Sequence, residues 1–132
     1  MDTENPVVRL CMDGARAEFD HRRADACACY QQAWDLAADD YERCIAAHYV
    51  ARCQTSAQET LAWNQVALAH AEAVNDERVA SFFPSLYVNL GDAYEQVGQI
   101  EEAQRYYDLA AATGTIPPRQ AGKRDFSRSI KF

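Results

Sequence analysis

Alanine outnumbers the β-branched residues in this chain, with 24 Ala against 8 Val, 4 Ile and 5 Thr in 132 residues. Alanine loses least on entering a helix, and the residues that fit a pleated sheet are scarce, so the composition predicts helices and excludes a strand-rich fold. Breaks are few, with only 5 Gly and 4 Pro. A chain of this length is one domain on the usual scale of roughly 100–200 residues, long enough for a continuous core but without room for a separate catalytic domain.

Local chemistry marks where the helices begin and end. Asp39-Asp40-Tyr41-Glu42 and Ser56-Ala57-Gln58-Glu59 each place a capping side chain three residues before a Glu, which predicts helix starts near 40 and 57. Gly98 and Gly114 suit the left-handed residue that closes a helix, and Pro84 suits a first turn, where its missing N–H costs nothing. Pro117-Pro118 ends the regular body. Between these marks Ala26, Tyr30, Ala33, Trp34 and Ala37, and later Leu86, Leu90, Ala93, Tyr94 and Val97, follow a three-and-four rhythm. Six helices are predicted, near 6–20, 23–38, 40–54, 57–73, 84–97 and 99–113, with extra turns in the junction 74–83. Short connections force consecutive helices to pack antiparallel.

Paired helices of similar length point to an internal repeat. The stretch 86–110 carries Tyr87, Leu90, Gly91, Tyr94, Ala103, Tyr107 and Ala110, with the run Gly98-Gln99-Ile100-Glu101-Glu102-Ala103 between two predicted helices. This unit resembles a tetratricopeptide repeat. Gly91 lets two helices approach closely and Ala103 supplies the matching shallow point. Gly14, Ala26, Tyr30 and Ala33 reproduce the spacing of Gly91, Ala103, Tyr107 and Ala110, and a middle unit offers Ala62, Val66 and Ala69 after Ala47, Val50 and Ala51. The second-helix alanines lie 36 and 41 residues apart, longer than the family's usual unit, as in variants similar to kinesin light chain repeats.

The resemblance covers roughly 6–113 and implies an all-α, right-handed α-α superhelix of about three antiparallel helix pairs, a tetratricopeptide-like solenoid over residues 1–118. It further implies a concave groove, lined by the first helix of each pair, where a peptide or protein segment docks. His48, Arg52, Asn89, Asp92 and Gln96 are the polar residues expected to border that groove, and an ordinary solvated face is the competing reading. The chaperone-binding members use a set of Lys, Arg and Asn residues against a terminal carboxylate pair. This chain offers Arg52 and Asn89 but no Lys before Lys123. The outer face of the last pair needs cover. The tail 119–132, with Phe126 and Ile130 one turn apart on a short capping helix, is one candidate; a second copy pairing through the open repeat end, as a homo-oligomeric scaffold, is the other.

Charge narrows the partner class. The net charge is −7, and residues 119–132 carry Arg119, Lys123, Arg124, Arg128 and Lys131 against Asp125, a net +4 that leaves −11 for residues 1–118. An acidic body disfavours nucleic acid and anionic membrane. The basic tail can meet a partner's acidic surface or fold back on its own body. The start Met1-Asp2-Thr3-Glu4-Asn5-Pro6 carries neither the basic nor the apolar segment of a secretory signal, and no apolar run approaches the ~20 residues of a membrane span. Cys11, Cys27, Cys29, Cys44 and Cys53 form an odd, loosely spaced set, read as small core residues in a reducing cytoplasm rather than as a disulfide framework.

No cofactor or metal is expected. Cys44 and His48 share a helix face, but Cys53 falls on the opposite side, and Cys27 and Cys29 diverge. Isolated glycines form no phosphate loop. Asp39-Asp40 and Glu101-Glu102 read as capping and solvated acids, and Trp34 and Trp63 as packing residues. An enzyme, as a small hydrolase or transferase working from groove residues, is the least favoured class. The expected function is a cytoplasmic protein-interaction module.

Overall fold

Residues 1–122 are described by the computed structural model of the chain. Among them seven α-helices follow one another with no strand: α1 (Pro6–Phe19), α2 (Arg23–Leu36), α3 (Asp40–Val50), α4 (Ala57–Val74), α5 (Glu77–Ala80), α6 (Phe83–Gln96) and α7 (Ile100–Ala112). A 3₁₀ turn, Ala51–Cys53, continues α3. Phe126 and Ile130, expected on a capping helix, lie outside the described residues.

The ends follow the capping chemistry. The Asp39 Oδ1 accepts the Glu42 N–H at 2.8 Å and the Ser56 Oγ accepts the Glu59 N–H at 3.1 Å, so α3 and α4 start where the acid pattern places them. Asn5 caps α1 in the same way, its Oδ1 accepting the Val7 and Val8 N–H groups. Gly98 and Gly114 both have φ +84° just beyond α6 and α7. The short α5 occupies the junction 74–83.

The helices pack as hairpins, α1 with α2, α3 with α4 and α6 with α7; α2 then lies against α3, α4 against α6, and α1 reaches α3. This order buries α3 almost completely, from Tyr41 through Cys44 to Val50. One continuous apolar cluster runs from Val7 and Cys11 through Tyr30, Ile45 and Leu68 to Leu86, Leu90 and Ala93. Trp34 and Trp63 meet edge to face, centroids 5.0 Å apart, against that cluster.

Two sequence expectations are corrected. In the middle pair Ala62 and Ala69 are exposed and Val66 is half-buried; Asn64, Leu68 and Ala71 instead occupy the spacing that Ala26, Tyr30 and Ala33 hold in the first pair. The cause is redundancy: alanine recurs so often on α4 that two registers both show a helical rhythm, and Leu68 carries no tyrosine to choose between them. The cysteines depart as well. Cys27 on α2 and Cys53 after α3 form a disulfide, their Cα atoms 5.8 Å apart. Spacing along single helices does not reveal this bond, because the packing of α2 against α3 creates the proximity. Cys11 and Cys44 are buried core residues and Cys29 is half-buried. The cysteine set therefore gives no ground for a reducing compartment, while no described helix is long and apolar enough to cross a membrane.

Candidate functional site

The first and last helix pairs share a constellation offset by 77 residues: Gly14, Glu18, Ala26, Tyr30 and Ala33 correspond to Gly91, Glu95, Ala103, Tyr107 and Ala110. Each glycine presses on the tyrosine of the following helix. A Cβ added at either position would lie 3.0 Å from the ring Cζ and nearer still to Cδ1 and Cε1. Both tyrosines are fully buried, so their hydroxyls need acceptors inside the protein. A glutamate twelve residues earlier supplies one in each case: Tyr30 Oη donates to Glu18 Oε1 at 2.7 Å, and Tyr107 Oη donates to Glu95 Oε1 at 2.8 Å.

The surroundings differ. At the first cluster Arg52, from the turn after α3, reaches across from the next helix pair and places Nε 3.0 Å from Glu18 Oε1 and Nη2 2.6 Å from Oε2. The pair is largely withdrawn from solvent, with side chains 16% and 20% exposed. Burial opposes the guanidinium charge, but the hydrogen bond and charge of Glu18 outweigh it and raise the Arg52 pKa. Burial, and then the bond to Glu18, raises that of Tyr30. Burial also pushes Cys11, Cys44 and Tyr49 up to about 12. These thiols and phenols are therefore neutral at physiological pH, which suits packing and not nucleophilic chemistry.

At the last cluster a second acid stands where the first has Ala15: Asp92 Oδ1 lies 2.7 Å from Tyr107 Oη. Main chain completes it. Residues 119–122 run back along α7, where the Gln104 side chain donates to the Arg119 carbonyl at 2.9 Å and accepts the Ala121 N–H at 2.8 Å. The Gly122 N–H then donates to Glu95 Oε2 at 2.8 Å.

Of the residues expected to border a groove, all but Gln96 fall into these clusters or the interior. His48 is 1% exposed and stands edge-on to Tyr49, centroids 4.9 Å apart. Arg52 belongs to the Glu18 cluster and Asp92 to the Tyr107 cluster; Asn89 is buried on α6, and Gln96 is exposed. The expected set omits Glu18 and Glu95, although a Glu twelve residues before each repeated tyrosine is readable once the units are aligned. Elsewhere His70 Nδ1 lies 2.8 Å from Asp40 Oδ1, joining α4 to the start of α3. Among the described residues no three His, Cys, Asp or Glu side chains gather as a metal-binding group. Neither protein-family models, curated proteins nor solved structures give a match to this chain.

Proposed function

We propose that the chain is a protein-interaction module built as a tetratricopeptide-like solenoid, a right-handed superhelix of three helix pairs. The observation that carries this reading is the repeated Gly–Tyr contact, Gly14 on Tyr30 and Gly91 on Tyr107, set in hairpins that stack in chain order. Stacked pairs of this kind present their first helices along one side; here α3 is almost wholly buried, so α1, α6 and the turn after α3 offer the surface where an extended or helical segment of a partner protein binds. Burial of both cluster tyrosines, together with the neutral thiols, favours binding over catalysis. Of the polar residues expected at the groove, Gln96 offers its side chain directly, and Arg52 lies at the rim with its guanidinium held by Glu18. His48, Asn89 and Asp92 act from beneath that surface.

The test is capture on the immobilised full chain from a lysate of the native host, identification by mass spectrometry, and titration of the purified partner. Combined Arg52→Ala and Gln96→Ala substitution is expected to weaken binding by about tenfold, the loss of one or two hydrogen bonds. An unchanged Kd in a variant whose circular dichroism matches the parent would overturn the groove assignment.

A further inference from the structure

The solvent face of α1 carries charges in an order that does little for the helix itself. At about 100° per residue Arg9, Asp13, Arg16 and Asp20 fall within about 60° of one another, and all four are exposed. A helix favours acids near its start and bases near its end, yet the first turn of α1 holds no acid, Arg9 lies close to that end, and Asp20 stands at the C-cap. Each base also precedes an acid by four residues, the weaker order for a pair within one helix. Among the described residues no ion pair engages Arg9, Asp13 or Arg16, and Asp20 meets Arg22 at 3.6 Å with its side chain still 51% exposed. Beside this row Met12 and Phe19, two turns apart on one line of the helix, are 45% and 82% exposed.

We propose that this face is the interface of a two-fold symmetric dimer, with α1 of one copy antiparallel to α1 of a second copy. Self-complementarity carries the assignment. Arg9 and Asp20 lie equally far from the helix midpoint between Gly14 and Ala15, as do Asp13 and Arg16. A two-fold axis at that midpoint therefore sets Arg9 against Asp20 of the second copy and Asp13 against Arg16 of the second copy, each pair occurring twice. A parallel pairing would set every charge against its own kind. The same axis keeps the Met12 and Phe19 lines of both copies on one side of the pair, with Met12 about 3 Å along the helix from Phe19 of the second copy. These four side chains leave water together, which supplies the attraction that exposed ion pairs alone do not. Neither Arg52 nor Gln96 takes part, so the dimer and the groove stand or fall separately.

Sedimentation velocity of the full chain at low salt, from about 1 to about 200 µM, tests the contact, and a shift from monomer to dimer is expected. Arg9→Glu with Arg16→Glu makes the row wholly acidic, and Asp13→Arg with Asp20→Arg makes it wholly basic. Each variant alone is expected to stay monomeric while its circular dichroism matches the parent. Mixed in equal amounts, the two are expected to form a heterodimer at least as tight as the parent dimer. Met12→Ser with Phe19→Ser is expected to weaken the parent dimer by about tenfold or more. A parent that remains monomeric at the highest concentration would overturn the proposal. So would a dimer that survives in either charge variant, or a mixture of the two folded variants that does not associate.

Discussion

The first and last helix pairs solve one packing problem with the same three residue types and close it differently. In each, a glycine admits a buried tyrosine whose hydroxyl is taken by a glutamate. The first pair borrows Arg52 from its neighbour, is linked to that neighbour by Cys27–Cys53, and turns through His21 at φ 61°. The last pair uses its own Asp92, the main chain of residues 119–122, and Gly98 at φ 84°. The first cluster is closed by a side chain of the next pair, and the last by an acid of its own pair and the main chain that follows it.

The shared part is where the largest effects are expected. Gly14→Ala and Gly91→Ala each drive a Cβ into a buried ring that has no free volume to enter, so each is expected to destabilise by about 3 kcal/mol, read as a fall in the urea midpoint at unchanged slope. Similar losses at the two sites would support their equivalence. Adding Tyr107→Leu to Gly91→Ala should recover part of the loss. A neutral Gly91→Ala would break the correspondence on which the repeat reading rests.

The crosslink separates the two pairs. Cys27 and Cys53 are 26 residues apart, and closing a loop of that size contributes about 3.5 kcal/mol through the unfolded chain. Reduction, or Cys53→Ser, is expected to lower the melting temperature and to raise hydrogen exchange in α1 and α2 more than in α6 and α7. Equal loosening of both pairs would mean that the bond stabilises the chain without favouring the first pair.

The elements of this fold were legible in the sequence because its punctuation is chemical and local. Asp39, Ser56, Gly98 and Gly114 cap or close helices through bonds within a few residues, and the Gly–Tyr spacing lies within each hairpin. The register of α4 and the Cys27–Cys53 bond were not, since alanine marks too many positions alike and the disulfide depends on how two hairpins meet. The candidate site was half legible. Arg52 and Asp92 carry the right polarity for a rim, but the partner of Arg52, Glu18 at a distance of 34 residues, arises only from the stacking of two pairs, and that of Asp92, Tyr107 at 15, from the closing of one hairpin.

The tyrosine hydroxyls should tell the two closures apart. Tyr30→Phe removes one donor from a carboxylate that Arg52 still contacts on both oxygens, so a loss of about 1 kcal/mol is expected. Tyr107→Phe removes the hydroxyl lying between Asp92 and Glu95, and a loss of about 2 kcal/mol is expected because two buried acids, rather than one, lie against it. Chemical denaturation of the two variants under identical buffer measures the difference. Equal losses would show that Arg52 adds nothing at the first cluster beyond what Asp92 and the main chain of residues 119–122 provide at the last.

The smallest effect concerns the turn between the helices of each pair. His21 and Gly98 occupy equivalent positions with φ 61° and 84°, but only glycine adopts that region without a steric penalty. His21→Gly is therefore expected to stabilise by roughly 0.5 kcal/mol, the relief of left-handed strain being partly offset by the greater freedom of glycine in the unfolded chain. The reverse change, Gly98→His, should destabilise by about 1 kcal/mol. A Cβ at Gly98 meets nothing within 4 Å, so that loss reports backbone strain alone. Opposite signs in paired thermal melts would establish that the two turns are equivalent. A destabilising His21→Gly would instead give the imidazole a contact role that the last pair does without.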